Sequence, residues 1–295
     1  MSDYLINPSS DNSQEPIVSS RNAEFWNEMC GSVAFRHLGL SEVSSDSLSV
    51  FDDWYFSFYQ YLIPWLETLE VSEKEIVEVG LGFGSVGQFL AARAARYTGI
   101  DVATGPVGLM NYRLDIRDLP GSAIVSNVLA MPLPSKSQDL VVAIGSLHHV
   151  GDFEGALVEI GRVLRPGGQI CGMVYAAYSL RSLIRDPKSF FRTLLAAFKR
   201  PGRFSDSVKL RKAADVNSDG EAAPFTEFFS RRALRRALEI HFESIHIARR
   251  NANSIPLLGK RLRRWQLKAP LRWIFSLDLY FVGTVRSQEE LPSPE

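Results

Sequence analysis

A run of glycines carries the chemistry that the sequence displays most openly. Four glycines lie within residues 80–87, between the apolar segment 75–79 and a stretch of helical character at 86–95. A glycine-rich turn between a strand and a helix is typical of a nucleotide-type site, because glycine lets the backbone turn tightly and approach a ligand closely. The helix N-terminus that follows offers free N–H groups to a negative group of the ligand.

Two sequence patterns fit this turn. Residues 82–87 satisfy the G-x-G-x-x-G pattern of dinucleotide sites, and Asp101 follows at about the distance expected of an acidic residue that binds a ribose hydroxyl. The wider string, Glu78-x-Gly80-x-Gly82-x-Gly84, is a different pattern, with an acidic residue ahead of alternating glycines. A glycine pattern alone does not decide between the two, so later segments have to.

The composition is that of an ordinary globular protein. The chain has 295 residues, of which 45% are hydrophobic and 22% charged, enough for one large domain or two small ones. Its two cysteines indicate no disulfide framework, and we expect a reducing, cytoplasmic location. Residues 1–16 lack the apolar region of a signal peptide, and no apolar run reaches the roughly 18–20 residues of a membrane span.

The charges are balanced in total but unevenly distributed. Residues 1–75 hold 13 acidic and 3 basic side chains, whereas residues 176–277 hold 8 acidic and 22 basic ones. This asymmetry predicts an acidic cap and a basic lid. An anionic partner and ordinary solvated faces are both compatible with it.

Apolar segments rich in Val and Ile alternate with stretches of helical character, which predicts a parallel sheet covered on both faces. The five segments are 75–79, 97–101, 123–127, 139–145 and 169–175. Two closing strands, 242–249 and 278–285, follow a helix predicted from Thr226 to about Ile240. The sequence therefore predicts an α/β fold with a doubly wound, mostly parallel seven-stranded sheet.

The chain divides into five parts by composition: a disordered tail at 1–20, a helical aromatic cap at 21–74, the core at 75–175, a lid insertion at 176–225 and a C-terminal part of the core at 226–295. Within the cap, residues 51–61 carry aromatic rings on nearly every helical face. Such a stretch is either a helix buried against the core or an aromatic wall over a substrate cavity.

A second insertion, 250–277, is basic and amphipathic. Leu258, Leu262 and Trp265 recur at helical spacing, and five Lys and Arg side chains lie beside them in the sequence. We expect a lid helix packed on the core with a solvated basic face. Contact with an amphiphilic acceptor or an anionic membrane surface is the alternative. Together with 176–225, this segment is predicted to form a mobile cover that selects the substrate.

Later motifs stand in the order of one known family. They are NVLAMPLP at 127–134, SQDLV at 137–141, LHHV at 147–150 and EIGRVLRPGG at 159–168. With the string at 78–84, they resemble the motifs of class I S-adenosylmethionine-dependent methyltransferases of the small-molecule type. The resemblance covers residues 75–175. It implies a Rossmann-like fold, S-adenosylmethionine as cofactor, and methylation of oxygen, nitrogen or carbon in a small metabolite or lipid-like acceptor.

The resemblance also implies which residues hold the cofactor. Asp101 would accept hydrogen bonds from two ribose hydroxyls, which a carboxylate can do. Asn127 stands where the family usually has an aspartate for the adenine amino group, and its amide oxygen can accept that bond without charge. Glu78 would anchor the methionine end or cap the turn. The other implied contacts are Gly80, Gly82, Phe83, Gly84, Val102, Val128, Ser146 and Leu147.

The tandem histidines after the fourth strand are the candidates for proton transfer. Methyl transfer from an activated donor mainly needs orientation, and a base is needed only if the acceptor is a hydroxyl or a protonated amine. His149 is the first candidate and His148 the second, since histidine exchanges a proton near neutral pH. The alternative is that both bond neighbouring backbone. Tyr175 and Tyr178 are weaker candidates, and Glu227 is interpreted as a charge at a helix start.

Some functions are disfavoured. Enzymes that methylate base amino groups carry Asn/Asp-Pro-Pro-Tyr/Phe after the fourth strand, but residues 145–148 read Gly-Ser-Leu-His, so no nucleic-acid substrate is expected. No cluster has metal-ligand spacing, so no metal is predicted. Two alternatives stay open, namely an NAD-dependent oxidoreductase and a protein of the same fold that binds the cofactor or a partner without turnover.

Overall fold

A computed structural model of the chain describes residues 15–28, 32–177, 179, 183, 186–188, 190–191, 203–204, 208–250, 254–257, 260–263 and 277–286. The strands are β1 Glu75–Val79, β2 Arg96–Asp101, β3 Gly121–Val125, β4 Gln138–Ile144, β5 Leu164–Tyr175, β6 Arg203–Phe204, β7 Phe228–Phe229, β8 Phe242–Arg250, β9 Ser254–Leu257, β10 Lys260–Arg263 and β11 Asp278–Val285. The helices are α1 Glu15–Trp26, α2 Ser32–His37, α3 Ser45–Phe58, α4 Leu62–Glu67, α5 Ser85–Ala91, α6 Thr104–Ile116, α7 Phe153–Val163, α8 Val208–Ala214 and α9 Arg231–Glu239.

Seven of the described strands form one sheet, in the order β3-β2-β1-β4-β5-β11-β8. Strands β1 to β5 pair in parallel, and β11 lies between β5 and β8, antiparallel to both. The predicted doubly wound, mostly parallel seven-stranded sheet is confirmed. The common dinucleotide-binding order is 3-2-1-4-5-6, so the antiparallel β11 distinguishes this sheet from that arrangement.

Helices cover both faces of the sheet because its strands are apolar on both sides. Val77 and Val79 belong to the core beneath α7 and α9, whereas Ile76 belongs to the core beneath α4, α5 and α6. This alternation follows from the two-residue period of a strand. The carboxyl ends of the parallel strands therefore meet at one edge, where ligands of α/β sheets bind.

Helices α2 and α3 build an aromatic cap at that edge. A capping box begins α3, in which Ser44 and Ser47 bond each other's backbone N–H groups. Phe51, on α3, is 1% exposed. Its ring lies 4.3 Å from that of Phe83 in the loop between β1 and α5, residues 80–84, which we call the glycine loop. The cap thus reaches the loop through packed rings.

A buried ion pair fixes the cap to the core. The Arg113 guanidinium, on α6, is fully buried and donates to both carboxylate oxygens of Asp52, at 2.8 and 3.0 Å. Ser85 and Gln88, on α5, donate to the same carboxylate. Because α3, α5 and α6 all contribute, this network sets their relative positions around the glycine loop.

Several predictions of segment structure were wrong. Helix α1 begins at Glu15, so the prediction of disorder fails for residues 15–20, and residues 1–14 lie outside the described residues. The predicted helix from Thr226 begins instead at Arg231, where Ser230 caps it through the N–H of Ala233. The short strand β7 precedes it and pairs with β6.

The basic segment also differs from its prediction. Strands β9 and β10 form an antiparallel pair across 254–263, where a lid helix was expected. The β-branched and apolar residues Ile255, Leu257 and Leu262 serve an alternating pattern as well as a helical one. Residues 251–253, 258–259 and 264–276, which include Leu258 and Trp265, lie outside the described residues. None of the described helices is long and apolar enough to cross a membrane.

We predict that Asp52→Asn lowers the free energy of unfolding by about 3–5 kcal/mol, since it leaves the buried Arg113 charge unpaired. Asp53→Asn, at the exposed neighbouring position, is the matched control and should change stability by less than about 0.5 kcal/mol. Urea unfolding followed by circular dichroism measures both variants. Equal stability of the two variants would contradict a structural role for the ion pair.

Candidate active site

One cavity of about 300 Å³ opens at the carboxyl ends of the parallel strands. Every strand from β1 to β5 contributes to its lining through its last residue or the loop that follows. The candidate residues that line it are Glu78, Gly80, Gly82, Phe83, Gly84, Asp101, Val102, Asn127, Val128, Ser146, His149 and Tyr175. The sheet topology therefore collects residues that are up to 97 positions apart in sequence (78 to 175).

The loop after β1 can be built only from glycine at its turning points. Gly80, Gly82 and Gly84 have φ angles of 81°, 52° and 81°, in the left-handed region that other residues rarely adopt. A Cβ at Gly84 would also lie 2.8 Å from the Arg113 side chain. The bare backbone therefore forms the floor of the cavity and admits a ligand at close range.

Asp101 is the last residue of β2, and the glycine loop holds its carboxylate in place through a hydrogen bond. Its carboxylate accepts from the N–H of Leu81 at 2.8 Å and from the N–H of Ala103 at 2.9 Å. Burial raises its pKa, although these backbone hydrogen bonds favour the charged form. Each oxygen retains a second lone pair, so the carboxylate can still accept from two ligand hydroxyls.

Glu78 lies deeper than Asp101. It is 3% exposed and accepts a hydrogen bond from the Tyr97 hydroxyl. Burial raises its pKa to about 8, so the side chain is largely neutral at pH 7. A cation bound beside it would favour the ionised form, which suits the ammonium end of an amino-acid ligand. Gly87 is essential to this arrangement, because a Cβ there would lie 2.5 Å from the carboxyl of Glu78.

Asn127 caps the short 3₁₀ turn Val128–Ala130 rather than ending a strand. Its Oδ1 accepts from the N–H of Leu129 at 3.0 Å, and its Nδ2 lies 3.3 Å from the Ser19 hydroxyl of α1. The amide group therefore links the loop after β3 to the N-terminal helix, while a second lone pair on Oδ1 can still serve a ligand.

A second 3₁₀ turn, Leu147–His149, determines which of the candidate residues after β4 face the cavity. Residues three apart lie on the same side of such a turn, and Ser146 and His149 both line the cavity. Leu147 and His148 are fully buried and are not among the residues that line it, so the structure does not bring these two candidates to the cavity with the others. Burial lowers the pKa of His148 well below its usual value, which makes it a neutral core residue.

His149 lines the same cavity as the ribose-binding candidate. Its Nδ1 lies 2.7 Å from the carbonyl oxygen of Phe225, and its ring packs 4.8 Å from that of Trp26. Since a carbonyl oxygen can only accept, Nδ1 carries the proton and Nε2 has the free lone pair. Burial lowers the pKa of His149, although the nearby Asp215 opposes the shift. The imidazole is thus neutral and able to take a proton.

Aromatic side chains form the wall that the sequence left open to two interpretations. Phe51, Trp54, Tyr55 and Tyr59 line the cavity from α3 and the residue after it. Phe51 is also part of the buried core, so the stretch is both a packed helix and a cavity wall. Tyr280, on β11, lines the same cavity and its hydroxyl lies 3.3 Å from that of Tyr61.

Helix α1 contributes residues that the sequence analysis missed. Ser19, Asn22 and Trp26 line the cavity, and Asn22 donates at 2.6 Å to the carbonyl oxygen of His149. The helix is tied at its far end by Glu28, which accepts from the N–H of Ser218 at 2.9 Å. From the sequence, residues 15–20 were predicted to belong to a disordered tail and residues 21–26 to the helical cap. The helix has no apolar face of helical period, so no local signal indicated that it lines the cavity.

Asp215 is the other residue that was missed. It lines the cavity at the end of α8, and its Oδ1 accepts from the Tyr175 hydroxyl at 3.0 Å. Glu227 is not a charge at a helix start, because it is 1% exposed and its N–H donates to the carbonyl oxygen of His148. Tyr178 lies outside the described residues.

Residues 77–172 match the family model described as "Methyltransferase domain". The seven-stranded sheet, its antiparallel β11 and this match identify a class I S-adenosylmethionine-dependent methyltransferase domain in the chain. The antiparallel β11 and the family match favour this class over the dinucleotide-binding alternative.

Two curated proteins are similar to parts of this chain in sequence. The chain is 35% identical over 101 residues to a fatty-acid O-methyltransferase of Mycolicibacterium smegmatis, which covers 34% of this chain and 36% of the relative. It is 28% identical over 138 residues to a ubiquinone biosynthesis O-methyltransferase of Dechloromonas aromatica, covering 46% of this chain and 56% of that one. The matches thus span between about a third and somewhat more than half of these relatives.

A solved S-adenosylmethionine-dependent methyltransferase of Methanosarcina mazei superposes with a TM-score of 0.51 at 16% identity, covering 76% of this chain and 98% of that chain. At this identity the likeness concerns the fold. It extends beyond the segment that the family model matches.

Asp101→Ala should weaken binding of S-adenosylhomocysteine by on the order of 10–100-fold, because hydrogen bonds to a charged group contribute about 1.5–3 kcal/mol. Isothermal titration calorimetry measures the affinity. Asp115→Ala, on the exposed side of α6, is the control and should bind as the unaltered protein does. Unchanged affinity of a folded Asp101→Ala protein would remove this carboxylate from the cofactor site.

Proposed function

We propose that this protein transfers a methyl group from S-adenosylmethionine to a hydroxyl group of an apolar, ring-containing or lipid-like small molecule. The observation that carries the proposal is the single cavity that joins the glycine loop and Asp101 to His149 and the aromatic wall. A donor and an acceptor that share one cavity can be held at reacting distance, which is the main requirement of methyl transfer.

The cofactor part of the cavity has donor and acceptor groups suited to S-adenosylmethionine. Asp101 can bind the ribose hydroxyls, and Asn127 offers an uncharged acceptor for the adenine amino group. Glu78 and Ser146 lie beside the glycine loop, where a methionine end would lie. When bound, this cofactor would supply a sulfonium methyl group, which the acceptor oxygen would attack in line as the bond to sulfur breaks and S-adenosylhomocysteine leaves.

His149 is suited to remove the proton of a hydroxyl acceptor. Its Nδ1 is held by the Phe225 carbonyl at 2.7 Å, and Thr226 Oγ1 lies 3.3 Å from the same nitrogen. The ring is therefore fixed with the lone pair of Nε2 as its basic site. A base whose pKa lies below neutral is unprotonated at pH 7 and ready to act.

The walls of the cavity favour an apolar acceptor. Trp26, Trp54, Tyr55, Tyr59 and Tyr280 present rings to the cavity, and such surfaces bind planar or hydrocarbon groups. The relatives named above include a fatty-acid and a ubiquinone-pathway O-methyltransferase, which supports a lipid-like acceptor. A carboxylate acceptor beside His149 would be repelled by the like charge of the Asp215 carboxylate. We therefore favour a hydroxyl group as the acceptor.

The acceptor class is tested with tritium-labelled S-adenosylmethionine and three compounds. They are a prenylated phenol, its methyl ether, which lacks the hydroxyl, and a long-chain fatty acid. We expect label in the phenol alone. Label in the fatty acid alone would make the acceptor a carboxylate. Binding of the cofactor without label in any acceptor from a metabolite extract would favour the non-catalytic alternative.

His149→Ala should lower turnover of the phenol by roughly 10²–10⁴-fold, the usual contribution of a general base. Affinity for S-adenosylhomocysteine should be unchanged, because none of the hydrogen bonds that hold Asp101 and Asn127 involves His149. The control is His246→Ala, at an exposed position of β8. A folded His149→Ala protein with normal turnover would show that this histidine is structural.

A further inference from the structure

We propose that Asp215 is a positioning residue that stabilises the protonated form of His149. The segment between β5 and β7, which contains Asp215, thereby assists the catalytic base. This inference rests on the proposed function for its chemistry. The pairing itself is a property of the protein and can be tested without an acceptor.

The geometry places two hydrogen-bond acceptors face to face. With the proton of the neutral ring on Nδ1, the lone pair of Nε2 lies 3.7 Å from Oδ2 of Asp215. Nε2 is buried and has no hydrogen-bond partner among the described residues. A buried lone pair facing a carboxylate is unfavourable until a proton is placed between them. The arrangement therefore matches the state in which Nε2 carries a proton.

Asp215 is held firmly enough to act in this way. Its Oδ1 accepts from the Tyr175 hydroxyl at 3.0 Å, and its backbone N–H donates to the carbonyl oxygen of Arg211 at 2.8 Å. Its carbonyl oxygen accepts from the N–H of Ala223 at 3.2 Å, which closes the turn 215–223. The second carboxylate oxygen is thereby directed at His149 by contacts from both β5 and the inserted segment.

The proton step is simple. The O–H bond of the acceptor breaks, an N–H bond forms at Nε2, and the electron pair remains on the oxygen that receives the methyl group. The imidazolium then forms an ion pair with Asp215, whose own protonation does not change. The proton leaves to solvent after the methylated product departs. No further reactant is required.

Other titratable groups around His149 are few in the described structure. The ring of His148 lies 4.2 Å away and that of Tyr175 6.1 Å away, both measured between ring centroids. Glu227, two residues after Phe225, donates its backbone N–H to the carbonyl oxygen of His148. Asn22, Trp26 and Thr226, which also contact His149, carry no charge. Asp215 is the anion whose carboxylate faces Nε2.

The test is Asp215→Asn, which keeps the shape of the side chain and its bond from Tyr175 but removes the charge. Asp219→Asn, in the exposed turn of the same segment, is the matched control. The titration of His149 is followed by NMR in protein with labelled histidine, and its signal is assigned from its loss in His149→Ala. The acidic limb of the kcat/KM profile is measured with the prenylated phenol.

We expect Asp215→Asn to move the His149 titration to lower pH by about one pH unit or more, because an opposite charge at this distance is lost. The acidic limb of kcat/KM should move in the same direction, and turnover at the plateau should fall at least about tenfold. Asp219→Asn should change neither. A merely structural role would lower turnover without moving either titration.

An unchanged His149 titration in Asp215→Asn would overturn the proposal. If that variant does not fold, Asp215→Ala is measured in the same way, with the same expected shift. A shifted titration in a protein that methylates no acceptor would support the pairing while refuting the proposed function, so the two failures are distinguishable.

Discussion

The bidentate ion pair between Asp52 and Arg113 is the constraint on which the ligand site depends. Removing both charges from water costs several kcal/mol per ion, and the cost is offset only when the geometry is good and the other polar atoms are satisfied. Here Ser85 and Gln88 complete the bonding of the carboxylate. The pair therefore tolerates little displacement of α3, α5 or α6. The glycine loop lies between these helices, and Gly84 leaves the space that the Arg113 side chain fills.

The same loop shows how burial sets the charges of the site. Glu78, beneath the loop, is largely neutral because the hydrogen bond from Tyr97 and the charge of Arg113 only partly offset the effect of its burial. Asp101, at the rim, receives two backbone N–H bonds that favour its charged form. His149 is kept neutral by burial while its ring is oriented by a carbonyl oxygen. These charge states suit the two proposed ligands, a cofactor whose ammonium end lies beside Glu78 and an acceptor whose hydroxyl proton is taken by His149.

The sequence predicts the parts of this protein that depend on local pattern. Apolar runs revealed the strands, because parallel strands buried on both faces cannot be polar. The glycine string and Asp101 were recognised since a tight turn beside a ligand restricts the residue types. Ser146 and His149 were predicted together with Leu147 and His148. Sequence alone could not show that a 3₁₀ turn directs only the first two to the cavity.

What escaped prediction came from long-range packing. Arg113 was not singled out in the sequence, because its burial depends on Asp52, which is 61 residues away. Asn22 and Asp215 reach the cavity from segments whose own composition shows no apolar periodicity. In the 254–263 segment, alternation and helical spacing were both present, and pairing between strands decided the outcome.

The position of β11 has a consequence for the order in which the protein can form during synthesis. This strand fills the place between β5 and β8, yet it is made after β8. Until it emerges, β5 and β8 each present an unpaired edge, and exposed edges recruit other chains. Tyr280 on this strand also completes the cavity wall. A nascent chain that has already made the glycine loop, His149 and Asp215 therefore still lacks part of the cavity wall. The interval before β11 is made is when the unpaired edges of β5 and β8 expose the chain most to aggregation.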